Sequence, residues 1–387
     1  MPTYLQSLRL QNLLSFGPDA EAIPLGPLNV IIGPNGSGKS NLLEAIGLLA
    51  AAPDSLSDGI REGGGIEEWL WKGSKFKPRA RIEAVLSIGD ELKYTLTLDQ
   101  HLQKVEVVDE RLEKVEFPPV PEANAFLYFG HINNRPHIRI QDSLREVSSK
   151  DFKTSESILS QREDPEIYPE LSSLSYFLSD TKIYRNWSFG RYTPPRLPQP
   201  ADLPNDFLMN DARNLGLILN KFRRNPEAKN SLLKHLRLIY EDVRDVDVIV
   251  QGGTVQVFID ESRWVVPATR LSDGTLRWLC LLAILLNPDE QLLICIEEPE
   301  LGLHPDLLPP LADLLKEASE RMQLIVTTHS DALVDALSDT PESVIVCEKQ
   351  EGSTAMRRLA KNELSDWLEK YSLGQLWRRG EFGGNRW

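Results

Sequence analysis

Gly33-Pro34-Asn35-Gly36-Ser37-Gly38-Lys39-Ser40 is the stretch that decides how this 387-residue chain is read. An apolar run, Leu28-Asn29-Val30-Ile31-Ile32, leads into it, and Asn41-Leu42-Leu43-Glu44-Ala45-Ile46 follows with helical character. Strand, glycine-rich turn and helix together form the context of a phosphate-binding loop. The glycines let backbone N–H groups turn inward and approach a phosphate closely. The helix start adds unpaired donors and partial positive charge. Lys39 offers a point charge to the outer phosphates, and the Ser40 hydroxyl can ligate magnesium. A chance glycine-rich turn would not carry both flanks as well as every fixed position.

Composition bounds what surrounds this loop. At 41% hydrophobic and 26% charged residues, the chain has the make-up of one large globular domain or two lobes. A net charge of −14 excludes a bulk nucleic-acid binder, so any DNA contact needs a local basic surface. Met1-Pro2-Thr3-Tyr4 runs straight into strand-like sequence, with no signal pattern. The longest apolar run, Leu279 to Leu286, stops at Asn287-Pro288, short of a membrane span. Cys280, Cys295 and Cys347 sit in apolar runs without metal-ligand spacing. They read as buried free thiols, and the expected location is the reducing cytoplasm, with no membrane partner.

From the N-terminus, residues 4 to 32 read as two strands around a turn, and a helix is expected from about Ser40 to Ala52. Residues 54 to 74, with Gly63-Gly64-Gly65, are expected to form a mobile loop. From Arg79 to Ile140 short period-two runs predict antiparallel strands. Residues 155 to 240 switch to helical spacing around a proline-rich link at Pro194, Pro195, Pro198, Pro200 and Pro204. Gly252-Gly253 between two β-like runs signals a hairpin. The last third alternates short apolar strands with helices, which predicts a parallel sheet covered on both faces. The chain therefore divides into residues 1–150 (first half of an α/β head, with an antiparallel β lobe), 151–245 (a helical lobe) and 246–387 (second half of the head).

Three further segments carry chemistry. Ile294-Cys295-Ile296-Glu297-Glu298 is a buried strand ending in two acids, the Walker B form. Glu297 is assigned to the magnesium shell and Glu298 to orienting or deprotonating the attacking water. The first position is commonly Asp, so the longer Glu297 is a departure. Leu271-Ser272-Asp273-Gly274-Thr275-Leu276-Arg277 precedes them, with Ser272 suited to cap a helix and Gly274 to allow close backbone approach. Thr327-Thr328-His329-Ser330 ends the next apolar strand, where a histidine can contact a γ-phosphate.

In order along the chain, this set resembles the ABC-like AAA-family ATPases, the branch that includes SMC and RecF-type repair proteins and the ATPase half of the OLD (overcoming lysogenization defect) nucleases. The resemblance rests on Phe16 in an N-x-x-S-F opening, the Gly33–Ser40 loop, the Leu271–Arg277 signature, the run Glu297 to Pro305 and Thr328-His329-Ser330. It implies ATP and Mg2+ as ligands, bound by Gly33, Asn35, Gly36, Ser37, Gly38, Lys39, Ser40 and Asn41. It also implies a Q-loop glutamine on magnesium and the attacking water, and Gln161 stands where the β region gives way to helices. In such ATPases two subunits sandwich two nucleotides, so Ser272 and Gly274 would act on a partner's nucleotide in a homodimer or higher oligomer. The spacing from Ser40 to Leu271 is too short for coiled-coil arms, and too little chain follows His329 for a Toprim nuclease. The expected protein is thus an ATPase that switches a separate effector, as in anti-phage or toxin systems. The alternative is a RecF-like DNA-binding ATPase, for which the candidate surfaces are three basic clusters: Lys72, Lys75, Lys77, Arg79 and Arg81; Lys221, Arg223, Arg224, Lys229, Lys234 and Arg237; and Arg357, Arg358, Lys361, Arg378, Arg379 and Arg386.

Overall fold

A computed structural model describes residues 2–383 apart from 75–76, 116–125, 133–134, 142, 149, 151 and 290. The first part of the chain forms β1 (Leu5–Gln11), β2 (Ile23–Pro24), β3 (Leu28–Ile32), α1 (Lys39–Ala51), α2 (Leu56–Glu62) and α3 (Ile66–Trp69). Next come β4 (Ala80–Ile88), β5 (Asp90–His101), β6 (Lys104–Lys114), β7 (Leu127–Ile132), β8 (Arg135–Ile140) and β9 (Ser143–Glu146). The middle holds α4 (Pro169–Asp180), β10 (Lys182–Tyr184), β11 (Gln199–Pro200), α5 (Leu215–Arg224), α6 (Pro226–Leu236), β12 (Val243–Gln251), β13 (Thr254–Glu261) and β14 (Trp264–Pro267). The remainder is α7 (Asp273–Leu285), β15 (Leu293–Glu297), α8 (Leu308–Ala318), β16 (Gln323–Thr328), α9 (Asp331–Asp335), β17 (Val344–Gln350), β18 (Ser353–Arg358), α10 (Lys361–Leu368) and α11 (Leu373–Arg379).

The organising layer is a six-stranded sheet in the order β10-β15-β16-β3-β17-β18. Its first five strands run parallel, and only β18 turns back antiparallel. Successive residues of these strands feed opposite faces. Val30, Ile32, Ile294, Ile296, Leu324 and Val326 join one core with α7 and α8, while Ile31, Leu293, Cys295 and Ile325 join a second core with α1 and α4. Both faces are therefore dry, which is why the strands read as continuous apolar runs. Over the second core lies the antiparallel sheet β2-β1-β4-β5-β6-β7-β8-β9, whose inward residues Leu8, Leu10, Ile82, Leu96 and Leu98 are fully buried. The three cysteines are buried free thiols. Among the described residues, no helix is long and apolar enough to cross a membrane.

Two sequence expectations change. Residues 54–70 fold into α2 and α3 instead of a mobile loop. Ser55 caps α2, Leu56, Ile60, Ile66 and Trp69 are buried, and Trp69 Nε1 donates to the Ile60 carbonyl at 3.1 Å. The glycines there serve as the turn between two short helices, and the apolar spacing was diluted by the polar residues among them. Residues 151–245 do not stand apart as a helical lobe. β10 pairs with β15 inside the main sheet, and α5 and α6 bury Leu219, Phe222, Leu232 and Leu236 in the same core as α7.

Many residues of the basic clusters are paired with acids where they sit. Lys77 meets Glu67 at 3.0 Å, Arg79 meets Asp99 at 2.9 Å and Arg81 meets Glu83 at 2.6 Å. Lys221 pairs with Asp289, Arg223 with Asp247 at 3.0 Å and Lys229 with Asp245 at 2.7 Å. Arg378 pairs with Asp331 at 2.8 Å, and Arg358 reaches the Pro24 and Glu342 carbonyls. Lys75 and Arg386 lie outside the described residues.

Candidate nucleotide site

Because β10, β15, β16 and β3 run parallel, their C-terminal ends reach one edge of the sheet, where ligands of such sheets bind. The four loops that leave this edge contain Arg185, Glu297-Glu298, Thr328-His329 and the Gly33–Gly38 turn.

The turn after β3 is built by close backbone approach. Gly33 has φ of +154° and a Cβ there would collide with the Cys347 carbonyl oxygen of β17; Gly38, at +115°, lies against the Thr354 hydroxyl. Lys39 is buried, and its Nζ donates to the Gly33 and Pro34 carbonyls at 2.8 and 3.0 Å. Burial lowers its ammonium pKa, and the negative charges of Glu298, Glu297 and Glu300 act in the opposite direction. Asn35, Gly36 and Ser40 are exposed at the mouth, while Ser37 is buried. Asn41, an expected nucleotide contact, instead donates through Nδ2 to Ser15 Oγ at 2.7 Å. Thr354 completes this brace, donating to the Ser37 carbonyl at 2.6 Å while sitting 2.7 Å from Ser15 Oγ. Thr354 comes from the last strand of the sheet, so its role was invisible in sequence.

The acidic tip of β15 lies beside β16. Glu298 takes a left-handed backbone, φ +46°, and its N–H donates to the Thr327 carbonyl at 3.0 Å. Its carboxylate lies 3.3 Å from His329 Nε2. Glu300 is half-buried and ties this pair down, accepting from Thr328 Oγ1 at 2.6 Å and from the His329 N–H at 2.8 Å. Desolvation raises its pKa, partly offset by those bonds. Sequence reasoning gave Glu300 no role, although its place in the acidic run was visible.

A cavity of about 360 Å³ is lined by Ser40, Glu297 and Glu298 together with Tyr184, Arg185, Asn186, Trp187, Arg277 and Leu301. Ser40 and Glu297 thus share one cavity with hard oxygen donors, which suits Mg2+ held jointly with phosphate and water. Among the described residues, no cluster of three or more His, Cys, Asp or Glu forms a metal site. Arg185 Nε donates to Glu297 Oε2 at 3.0 Å. The Arg277 guanidinium lies 5.6 Å from the Trp187 ring centre and 5.3 Å from that of Phe189, with Nη1 3.5 Å from the Glu298 carbonyl. Arg196 is buried. It donates to the Phe189 and Leu271 carbonyls at 2.8 and 2.5 Å and pairs with Asp273. Neither Arg185 nor Arg196 was predicted to act, because the three-residue edge strand before them leaves almost no periodic signal; Arg277 was read only as the end of the signature.

Ser272 caps α7, accepting from the Thr275 N–H at 3.1 Å, and is exposed with Asp273. Gly274 approaches the Gly302 carbonyl so closely that a Cβ would meet it at 2.7 Å. Ser272 does not line the Ser40 cavity.

Gln161 is not brought to this site. Its Nε2 donates to the carbonyls of Lys153, Glu156 and Ser157 at 3.1–3.2 Å, and its Oε1 accepts from the Lys153 N–H at 2.8 Å. That turn is anchored elsewhere: Glu110 of β6 accepts from Ser157 Oγ and the Ile158 N–H, and Glu156 accepts from the Leu56 N–H. Its amide is thus bonded within its own loop, and Gln161, expected on magnesium and the attacking water, does not line the cavity of Ser40 and Glu297. The segment entering the core sheet beside β15 begins at Lys182 instead.

The family described as "AAA domain, putative AbiEii toxin, Type IV TA system" matches residues 28–335. An ATP/GTP phosphatase of Helicobacter pylori is 22% identical over 349 residues, covering 86% of this chain and 87% of its own. The DNA replication and repair protein RecF of Moorella thermoacetica is 33% identical over 107 residues, 27% of this chain and 25% of its own. Among solved structures, an Smc head bound to the C-terminal winged-helix domain of ScpA superposes with a TM-score of 0.57 at 15% identity. It covers 93% of this chain and 99% of that one, a likeness of fold.

Proposed function

Since the chain belongs to the AAA-domain family just described, within the ABC-like branch that holds SMC and RecF, we propose that it binds and hydrolyses ATP. The observation that carries this reading is the convergence of Lys39, Ser40, Glu297, Glu298 and His329 at one edge of one sheet. The P-loop amides and Lys39 hold the phosphates. Ser40 and Glu297 would hold Mg2+, which when bound neutralises the phosphate oxygens. Glu298, fixed by β16 and facing His329, orients and deprotonates the attacking water. The name of the Helicobacter pylori relative, ATP/GTP phosphatase, fits this chemistry.

Two copies close on two nucleotides, with Ser272 and Gly274 of one facing the P-loop of the other. Support comes from Ser272 sitting exposed and away from its own Ser40 cavity. ATP then favours the closed pair and hydrolysis releases it, which makes the chain a switch read by a separate effector. The toxin-system wording of the family description fits an effector in defence. Pairing of Lys77, Arg79, Arg223 and Lys229 with neighbouring acids favours this over the DNA-binding alternative.

The test is ATP turnover and mass in solution for the wild type, Lys39→Ala and Glu298→Gln. Lys39→Ala should weaken nucleotide binding at least ~100-fold, since burying the phosphates without that cation forfeits a charge-assisted contact. Glu298→Gln should retain binding, lose about 100-fold or more in turnover and accumulate as an ATP-bound dimer. Wild-type turnover by Glu298→Gln would remove Glu298 from the water-activating role.

A further inference from the structure

Arg185 carries a free donor edge on the wall of the nucleotide cavity. Its side chain is 28% exposed, and Glu297 Oε2 accepts from its Nε at 3.0 Å. A guanidinium has five N–H donors, and that bond uses one. Among the described residues, no partner engages Nη1 or Nη2. Arg277, lining the same cavity, is held differently: its guanidinium lies over the Trp187 and Phe189 rings, and its Nη1 reaches the Glu298 carbonyl. Arg185 is thus held through Nε, and it lines the cavity shared with Ser40, Glu297 and Glu298. A planar fork of N–H donors matches two oxygens of one phosphoryl group. The acids on this wall would repel a triphosphate, and a cation fixed to one of them offsets that repulsion without a separate approach from solvent.

We propose that Arg185 is a catalytic residue acting within its own subunit, its Nη fork contacting the γ-phosphoryl oxygens of the bound nucleotide. This rests on the ATPase reading above. In hydrolysis the water oxygen bonds to the γ-phosphorus. The bond from that phosphorus to the β,γ-bridging oxygen breaks, and ADP leaves with the electron pair. The water proton passes to Glu298. Arg185 exchanges no proton; it donates hydrogen bonds to equatorial oxygens whose charge grows in the transition state. Glu297 orients it, so the acid expected to serve magnesium also aims an arginine.

The experiment compares binding of ATPγS and ADP, in Mg2+ and in EDTA, and turnover, for wild type, Arg185→Ala, Arg185→Lys and Lys39→Ala, with thermal melts as a check of folding. Arg185→Ala should weaken ATPγS about 10- to 100-fold, leave ADP within about twofold, keep that difference in EDTA, and lower kcat about 1,000-fold. Arg185→Lys, which keeps the pairing with Glu297, should regain most of the ATPγS affinity but little of kcat, because an ammonium is a point charge without the fork. Equal losses for ATPγS and ADP, or wild-type kcat in Arg185→Lys, would overturn the proposal; the lysine variant decides alone if the alanine variant unfolds. A wild type that binds neither nucleotide, or binding unaffected by Lys39→Ala, would overturn the ATPase reading and this inference with it. A wild type and Arg185→Ala that prefer ATPγS equally would overturn the inference only.

Discussion

The loop after β3 and the loop after β10 leave the same edge of the same parallel sheet and border the same cavity, yet they are built on opposite principles. The first works through its backbone. Its glycines let carbonyls and amides of Gly33–Gly38 pack against β17 and β18, and Lys39 is folded back onto two of those carbonyls. The second works through side chains. Arg185 reaches Glu297, Trp187 and Phe189 form a seat for Arg277, and Arg196 grips the loop before α7. A backbone device needs particular residues at fixed spacing, because only glycine tolerates the approach. A side-chain device needs only that its members meet in space, so their spacing is free.

The largest effect that separates the two is expected from Gly33→Ala. The new Cβ would collide with the Cys347 carbonyl, a backbone atom in a central strand that cannot swing away. About 4 kcal/mol or more of stability should be lost, seen as a collapsed melting temperature or insoluble chain. A soluble Gly33→Ala protein with unchanged melting would show that the first loop tolerates side-chain bulk and that the contrast is overdrawn.

Arg196→Met tests the second loop at an intermediate level. The substitution keeps much of the buried stem volume but removes the donors to Phe189, Ala268 and Leu271 and the pairing with Asp273. Three buried carbonyls lose a charged donor, at a cost of about 2–3 kcal/mol. Asp273 is 70% exposed, so its carboxylate remains hydrated and adds little to the penalty. The loop leading to Ser272 should loosen, lowering turnover about tenfold while nucleotide affinity stays within about twofold, because no donor of the first loop is touched. Calorimetric binding beside steady-state turnover reads both. An affinity loss matching that of Lys39→Ala would mean that the two loops are one mechanical unit.

The same contrast explains what could be read in the sequence. The P-loop, both of its flanks and the strand ending in Glu297-Glu298 were legible because period and spacing encode them directly. The antiparallel sheet was legible because Arg81–Leu86 and Lys93–Leu98 alternate, one face on a core and one toward water. The wall at residues 185–196 was not, since β10 is three residues long and its prolines read as a link. Thr354 and Ser15 meet across 339 positions, a contact that no local window contains. The glycines of 63–65 argued for mobility, whereas Trp69 and Ile60, buried on each other's helices, fold that stretch down.

The smallest effect on catalysis is expected where position along the chain pointed to function and the fold did not. Gln161 stands at the end of a turn that Glu110 fastens to the antiparallel sheet and Glu156 fastens to α2. Gln161→Ala removes three donations and one acceptance within that turn. Because the site is partly open, water replaces some of them, and the loss should be about 1–2 kcal/mol of stability. Turnover per folded molecule and Mg2+ dependence should match the wild type, measured below the variant's melting temperature. A fall in kcat of tenfold or more at full folding would place Gln161 on the reacting groups and require its turn to rearrange when nucleotide binds. Unchanged turnover beside the losses expected of Arg185→Ala would mean that in this chain the wall next to β15 is furnished by arginine, from the strand that actually borders it.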